Sequence, residues 1–264
     1  MLSLKENLEN QAQYAKKRVD AMRYPMAFLS SSCIAGAFIG LGVLFMLTAG
    51  GPFLVARHPA ASIIGGSVFG IGLILVVVSG AQLLTSAMMV LPIGLARKTI
   101  TLRGAAASSI LMYFGNFIGS LVLAVVIVAS GLVRPGTPAG EYLSAVVHHK
   151  AHHTITELVF LGVLCNIFVC LAVWGAAATE NAAAKVAIIA WCVAAFVASG
   201  TEHVVANMTI FSAALFQGVD GIAMSDLLRN QLWVCIGNAL GGGAFIAAPL
   251  LMSDPRPSLV TSVK

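Results

Sequence analysis

The sequence predicts an all-α membrane protein of six transmembrane helices, arranged as an inverted three-plus-three repeat with the second and fifth helices broken. Composition is the first reason: 59% of the 264 residues are hydrophobic and only 9% carry a charge, too apolar a balance for a soluble domain. The second is the set of uncharged runs, 24–56, 59–96, 104–133, 158–179, 186–201 continuing to 216, and 230–253, each long enough to cross lipid. The third is a pair of matching interruptions inside the two longest runs, SGAQLLTSAM at 79–88 and SGTEHVVANM at 199–208, separated by a constant offset of 120 residues.

Taken in order, residues 1–23 form a polar, amphipathic segment with Lys16, Lys17 and Arg18. It lacks the apolar core and cleavage site of a signal peptide and reads as a cytoplasmic surface helix. Repeat one covers 24–133, with Gly36, Gly40 and Gly42 in its first span and Gly115 and Gly119 in its third giving small faces for close helix packing. Its middle run, 59–96, holds 38 uncharged residues. As one straight helix this would extend ~57 Å against ~30 Å of hydrocarbon, so a break is expected. Residues 134–157 read as an external loop with Pro135, Pro138 and the cluster HHKAHH at 148–153. Repeat two covers 158–253 and a short tail follows at 254–264; the whole is one membrane domain.

Two further matches support the repeat: LGVL at 41–44 with LGVL at 161–164, and GNFIG at 115–119 with GNALG at 237–241. Three spans per half is an odd number, so the halves insert with opposite orientation. Inverted repeats with interrupted helices place a solute path near the midplane, where irregular backbone is tolerated only if it is buried or lines a cavity.

The net charge of +5 does not indicate nucleic acid, because Lys and Arg are spread over loops and termini. With the N-terminus inside, eleven of them fall on the cytoplasmic side, including Arg256 and Lys264, against four outside: Arg57, Arg134, Lys150 and Arg229. Both termini are therefore expected in the cytoplasm. The five cysteines all lie in spans and form no disulfide framework or metal motif. No Walker A, dinucleotide fingerprint, nucleophile elbow or HExxH is present, so no enzyme class is recognisable and no cofactor is implied.

Chemistry points to Glu202 and His203, the only carboxylate and the only histidine inside the spans. An ionisable group at that depth costs several kcal/mol, on the order of 3 on insertion scales, and faces a bundle interior or a wet path. His203 is suited to protonate a weakly basic anion, or to donate a hydrogen bond in place of hydration water. A carboxylate that gains a proton crosses apolar walls at far lower desolvation cost. Asn207, Thr85, Ser86 and Asn166 are the uncharged polar groups available to orient imidazole or solute. The break in the first half has Gln82 and Leu83 where the second has Glu202 and His203, so a single titratable centre is expected. In HHKAHH the histidines stand four apart, which suits a metal site, an anion-attracting vestibule around an exposed Lys150, or a solvated loop. A haem-bearing redox subunit would need paired axial ligands at depth, and His203 is alone there. A neutral-solute channel would carry paired Asn-Pro-Ala signals, which are absent.

FVASGTEHVVANM at 196–208, CNIFVCLAVW at 165–174, YFGNFIGSL at 113–121 and IGNALGGG at 236–243 occur in an order that resembles the formate/nitrite transporter family. The resemblance covers nearly the whole chain. It implies an aquaporin-like protomer assembled as a homopentamer in the inner membrane, each protomer with its own pore for small monovalent anions. His203 would be the central pore histidine, with Thr85 and Asn166 as neighbours and Glu202 as the partner before it. Lys150, in HHKAHHT, would help draw anions inward. Constrictions would be formed by Phe69 and Phe196 on one side and by Leu73, Leu83, Leu84 and Val169 on the other.

Two positions depart from the family pattern, Leu84 and Thr201, where an aromatic is common. Their smaller side chains are expected to widen or rewet the path. HHKAHHT resembles the formate branch, whereas CNIFVCLAVW and ANMTIF resemble the nitrite branch. The expected function is a channel for formate and related weak-acid anions with proton coupling, with nitrite or hydrosulfide as the alternative within the family and a redox-enzyme membrane subunit as the alternative outside it.

Overall fold

A computed structural model describes residues 1–254, and every regular element among them is helical. The expected tail beyond Asp254, with Arg256 and Lys264, lies outside the described residues. The N-terminal stretch forms α1 (Leu4–Ala21), started by a capping box in which Ser3 and Glu6 exchange backbone-to-side-chain hydrogen bonds. The helix does more than lie on a surface. Leu8, Ala12 and Ala15 are buried, as are Asn7, Gln11 and Arg18, and α1 packs on α4 (Leu84–Ala96).

The apolar runs become α2 (Pro25–Val55), α3 (Ala61–Ser79), α5 (Leu102–Ala129), α7 (Ile155–Ala177), α8 (Ala182–Ala198), α9 (Val204–Gln217) and α10 (Met224–Gly242). A π-helical turn, Gly243–Ala247, and α11 (Ala248–Met252) continue α10. The widened turn sits just before Pro249, which has no N–H to offer the carbonyl of Phe245. Five helices are individually long and apolar enough to cross a membrane: α2, α3, α5, α7 and the composite Met224–Met252. The shorter apolar helices α4, α8 and α9 are the pieces left by the two breaks.

Each break has the same local cause. α3 stops where Gly80 turns left-handed at φ +69°, and α8 stops where Gly200 adopts the same φ of +69°. An L side chain at either position would meet its own backbone at a cost of about 1–2 kcal/mol. Three more residues follow in each case before α4 and α9 begin.

The freed backbone groups are met by two matching asparagines. Asn116 on α5 accepts the Leu84 N–H at 2.9 Å and donates to the Gln82 carbonyl at 2.9 Å and the Ser32 carbonyl at 2.8 Å. Asn238 on α10 accepts the Val204 N–H at 2.9 Å and donates to the Glu202 carbonyl at 2.9 Å and the Gly162 carbonyl at 2.8 Å. Leaving any one of these buried partners unmet would cost about 1–3 kcal/mol.

One expected pairing does not survive. LGVL in the first span matches LGVL in the fourth at an offset of 120, but the packing equates different residues. Gly119 presses on the Cys33 carbonyl and Gly241 on the Val163 carbonyl; Ser32 and Gly162 meet the two asparagines. Those pairs differ by 130, from 163 − 33 and 162 − 32. The physical reason is helix length: α2 has 31 residues and α7 has 23, so α2 runs about two turns further before its half reaches the break.

The expected external loop is largely a helix, α6 (Pro138–His152). Thr137 caps it by accepting the Gly140 N–H at 3.1 Å, Pro138 supplies a ready-made first turn, and His149, Lys150 and His152 place basic groups at its C-terminal end. Arg229 on α10 fixes that end by donating to the carbonyls of Ala151 and His153 at 3.2 and 2.5 Å. α6 packs against α2, α9 and α10, which carries Lys150 down to the second break.

Candidate functional site

The two breaks meet side chain to side chain. Thr85, in the first turn of α4, has its Oγ1 3.0 Å from Nε2 of His203, and both residues are buried. His203 is also the N-cap of α9, its Nδ1 accepting the Ala206 N–H at 3.0 Å. A ring nitrogen that accepts from a backbone amide carries no proton, so this network assigns the proton to Nε2, facing Thr85. Phe196 stacks on the imidazole with ring centroids 5.9 Å apart and an interplanar angle of 14°, and Phe69 meets Phe196 edge-on at 6.0 Å.

Cavities approach this pair from both sides. On the α6 side a cavity of about 320 Å³ is lined by Phe69, Phe196, Thr201, His203, Asn207 and Lys150, among others. On the α1 side a cavity of about 390 Å³ is lined by Tyr14, Lys17, Arg18, Leu73, Ser86 and Lys185, among others. Leu83, Leu84, Val169 and Thr85 are buried and line neither cavity. Of the residues expected at constrictions, Phe69 and Phe196 line the α6-side cavity together with His203, and Leu73 lines the α1-side cavity. Thr201, which stands where an aromatic is common in the family, lines the α6-side cavity and folds its hydroxyl back onto the Phe196 carbonyl at 2.8 Å.

Glu202 is fully buried. One carboxylate oxygen accepts from Asn207 at 2.5 Å and from Asn230 at 3.2 Å; the other lies 3.1 Å from the Lys150 ammonium. Removing one partner of such a pair leaves an uncompensated charge and costs about 3–5 kcal/mol. This corrects the picture of Lys150 as an exposed attracting charge: its side chain is 11% exposed and already neutralised by Glu202, although it does line the cavity. Long-range attraction of anions by Lys150 is correspondingly reduced.

The other polar candidates are distributed differently from expectation. Asn207 serves Glu202, not the imidazole. Asn166 donates to the carbonyls of Asn238 at 2.7 Å and Thr85 at 3.2 Å, so it positions Thr85 through the backbone. Ser86 turns to the α1 side, where Arg18 donates to its hydroxyl at 2.9 Å and to the Leu83 carbonyl at 3.2 Å. Arg18 also lies 4.7 Å over the ring of Tyr14 and is the main reason that phenol is held below its ordinary pKa. Among the described residues, no three His, Cys, Asp or Glu side chains converge in a metal-binding group.

Sequence reasoning misses Asn116, Asn238, Asn230 and Arg18. The first two carry a signal in the repeated GN-x-x-G, which reads as glycine packing until the asparagines are seen between the glycines. Arg18 looks like part of a solvated basic cluster, and nothing local marks Asn230.

Residues 5–252 match the family described as formate/nitrite transporter. A nitrite transporter NirC from Salmonella typhimurium is 36% identical over 235 residues, covering 88% of this chain and 85% of the relative. A formate channel FocA from Haemophilus influenzae is 34% identical over 257 residues, covering 90% of this chain and 88% of the relative. Among solved structures, an FNT family ion channel superimposes with a TM-score of 0.88 at 33% identity, over 95% of this chain and all of the other. A pentameric formate channel with formate bound superimposes with a TM-score of 0.76 at 27% identity, over 88% and 98%. The family match spans both breaks, their asparagine clamps and the Thr85–His203 contact, and the chain belongs to the formate/nitrite transporter family.

Proposed function

We propose that the protein is a homopentameric, multi-pass inner-membrane channel, not an enzyme, that carries formate and related small monovalent weak-acid anions through a pore in each protomer. The observation that carries this reading is the buried Thr85–His203 contact, with one cavity lined by His203 on the α6 side and another lined by Ser86, next to Thr85, on the α1 side. The α6-side cavity is the external vestibule and the α1-side cavity the cytoplasmic one, with both termini inside. α3 with α4, and α8 with α9, each make one crossing, for six in all.

An anion reaching the floor of the external vestibule meets Phe69 and Phe196 and loses water. The Nε2–H of His203 and the Thr85 hydroxyl replace part of that hydration. Of the two roles open to His203, hydrogen-bond donation suits the geometry better. Protonating Nδ1 would turn it from acceptor to donor against the Ala206 N–H and undo the α9 cap. The proton that neutralises the weak acid then arrives with the solute or from the vestibule.

The 36% identity to a nitrite transporter favours nitrite as the second reading. A redox subunit is disfavoured because His203 is the one histidine within the spans, whereas a haem there would need paired axial ligands. A proteoliposome flux panel of formate, nitrite, hydrosulfide, lactate and water at two pH values tests the proposal. Formate and nitrite are expected to move well above background and lactate more slowly. Flux of no anion above protein-free vesicles would end the channel reading.

A further inference from the structure

His153 stands between α6 and α7, outside the spans, with its side chain 12% exposed. Its two ring nitrogens face two carboxylates. Nδ1 lies 3.7 Å from Glu157 Oε2, at the external lip, and Nε2 lies 3.7 Å from Glu202 Oε1, in the buried break. Both Nε2 and that same Oε1 lack an aligned hydrogen bond although they are buried. The side chain is seated by neighbours: the His149 ring packs edge-on at 4.6 Å, and Arg229 holds the His153 carbonyl.

A neutral imidazole has one N–H and can donate to one carboxylate; only the imidazolium donates to both. We propose that His153 is an external proton port, whose protonation bridges Glu157 to Glu202 and releases Lys150 from Glu202 to face the vestibule as a free cation for the incoming anion. The step balances simply: one proton passes from external water to the imidazole, no bond to carbon changes, and the group Glu202, Lys150 and His153 goes from net zero to net +1. This rests on the proposed channel reading for its consequence but not for its chemistry.

The charged and titratable groups around His153 come from every element packed on it: His149 and Lys150 from α6, Glu157 from α7, Glu202 from the break, and Arg229 from α10. Burial is the largest influence and holds the His153 pKa below its ordinary value, with His149 and Lys150 acting the same way, against the opposing pull of Glu202 and Glu157. The neutral form of His153 is therefore favoured, and charging it calls for a more acidic exterior than an ordinary imidazole would need. A unit charge added to a focusing mouth raises local anion occupancy by roughly tenfold.

Two measurements test this. In proteoliposomes with the internal pH fixed, formate influx is followed from external pH 8 to 5 for the wild type and His153→Gln, after subtracting vesicle leak. The wild type is expected to rise roughly tenfold more than the variant on acidification, with equal rates at pH 8; superimposable profiles would overturn the proposal. Independently of flux, ring-15N histidine is titrated by solid-state NMR in the full-length protein, with the His153→Gln spectrum as assignment. The His153 signal is expected to titrate on the acid side, and Glu202→Gln to move its midpoint lower. A midpoint unmoved by Glu202→Gln would overturn the bridge. If the wild type carries no anion, the channel reading fails while the NMR result still decides whether His153 and Glu202 share a proton. If His153→Gln does not assemble, His153→Asn supplies the assignment and the shift caused by Glu202→Gln decides.

Discussion

Replacing Lys150 by Met tests the energetic core of the site. The substitution keeps a long apolar stem but removes the ammonium 3.1 Å from a carboxylate with no solvent exposure, leaving Glu202 with two asparagine donors and no counter-charge. Breaking a buried pair in this way costs about 3–5 kcal/mol, and the 11% exposure of Lys150 places this case near the lower end, ~3 kcal/mol. For a chain of this size ~3 kcal/mol corresponds to a fall of roughly 6–12 °C in melting temperature. Adding Glu202→Gln removes the orphaned charge while keeping an oxygen for Asn207 and Asn230. The double variant should therefore recover more than half of the loss, as a coupled pair does in a double-mutant cycle. Intrinsic tryptophan fluorescence of the detergent-solubilised protein on heating reads all three forms. A single variant melting within about 2 °C of wild type, or a double variant melting below it, would refute the buried-pair reasoning.

His203→Phe should abolish weak-acid flux while the protein still assembles, and should lose about 1 kcal/mol with the α9 cap; undiminished formate flux in that variant would remove His203 from the path. Asn116→Ala and Asn238→Ala should each destabilise by roughly 2–5 kcal/mol, and by similar amounts because each holds three buried backbone groups. Melting temperatures that drop for one and not the other would show that the clamps are not equivalent. Arg18→Ala should free the C-terminal half of α1 from the first break, read as faster amide exchange in α1 and at Leu84. Exchange in α1 unchanged from wild type would show that apolar packing alone holds the helix.

The features legible in the sequence are those that contrast with an apolar background. Gly80 and Gly200 stand out because a Ser-Gly pair beside polar residues, in the middle of a run too long for one crossing, marks where the helix has to turn. Glu202 and His203 stand out because charge at that depth is costly. The LGVL match fails for the opposite reason: leucine and glycine are common in such helices, so identity at one offset carries little weight against the packing. α6 escapes a reading that treats Pro135 and Pro138 as loop markers, although Thr137, Pro138 and Glu141 together form a legible helix start. The Lys150–Glu202 pair and the hold of Arg18 on the Leu83 carbonyl are contacts between distant parts of the chain, and no local periodicity encodes them.

The scaffold is close to symmetric while its lining is not, and the difference begins at one pair of positions. His203 caps α9 with its own side chain; Leu83, at the matching place, offers α4 no side-chain cap. The first break is instead held from outside the repeat, by Arg18 of α1 on the Leu83 carbonyl and the Ser86 hydroxyl. The second break is self-capped, and what reaches it from outside is charge: Lys150 and His153 on Glu202. Moving α1 would therefore loosen the hold on the Leu83 carbonyl and Ser86 without touching the Lys150–Glu202 pair. Protonating His153 alters the charge beside His203 without unpacking α4. On the channel reading, two matched breaks would then be open to two separable influences, one through packing and one through charge, because the segments lying outside the repeat differ.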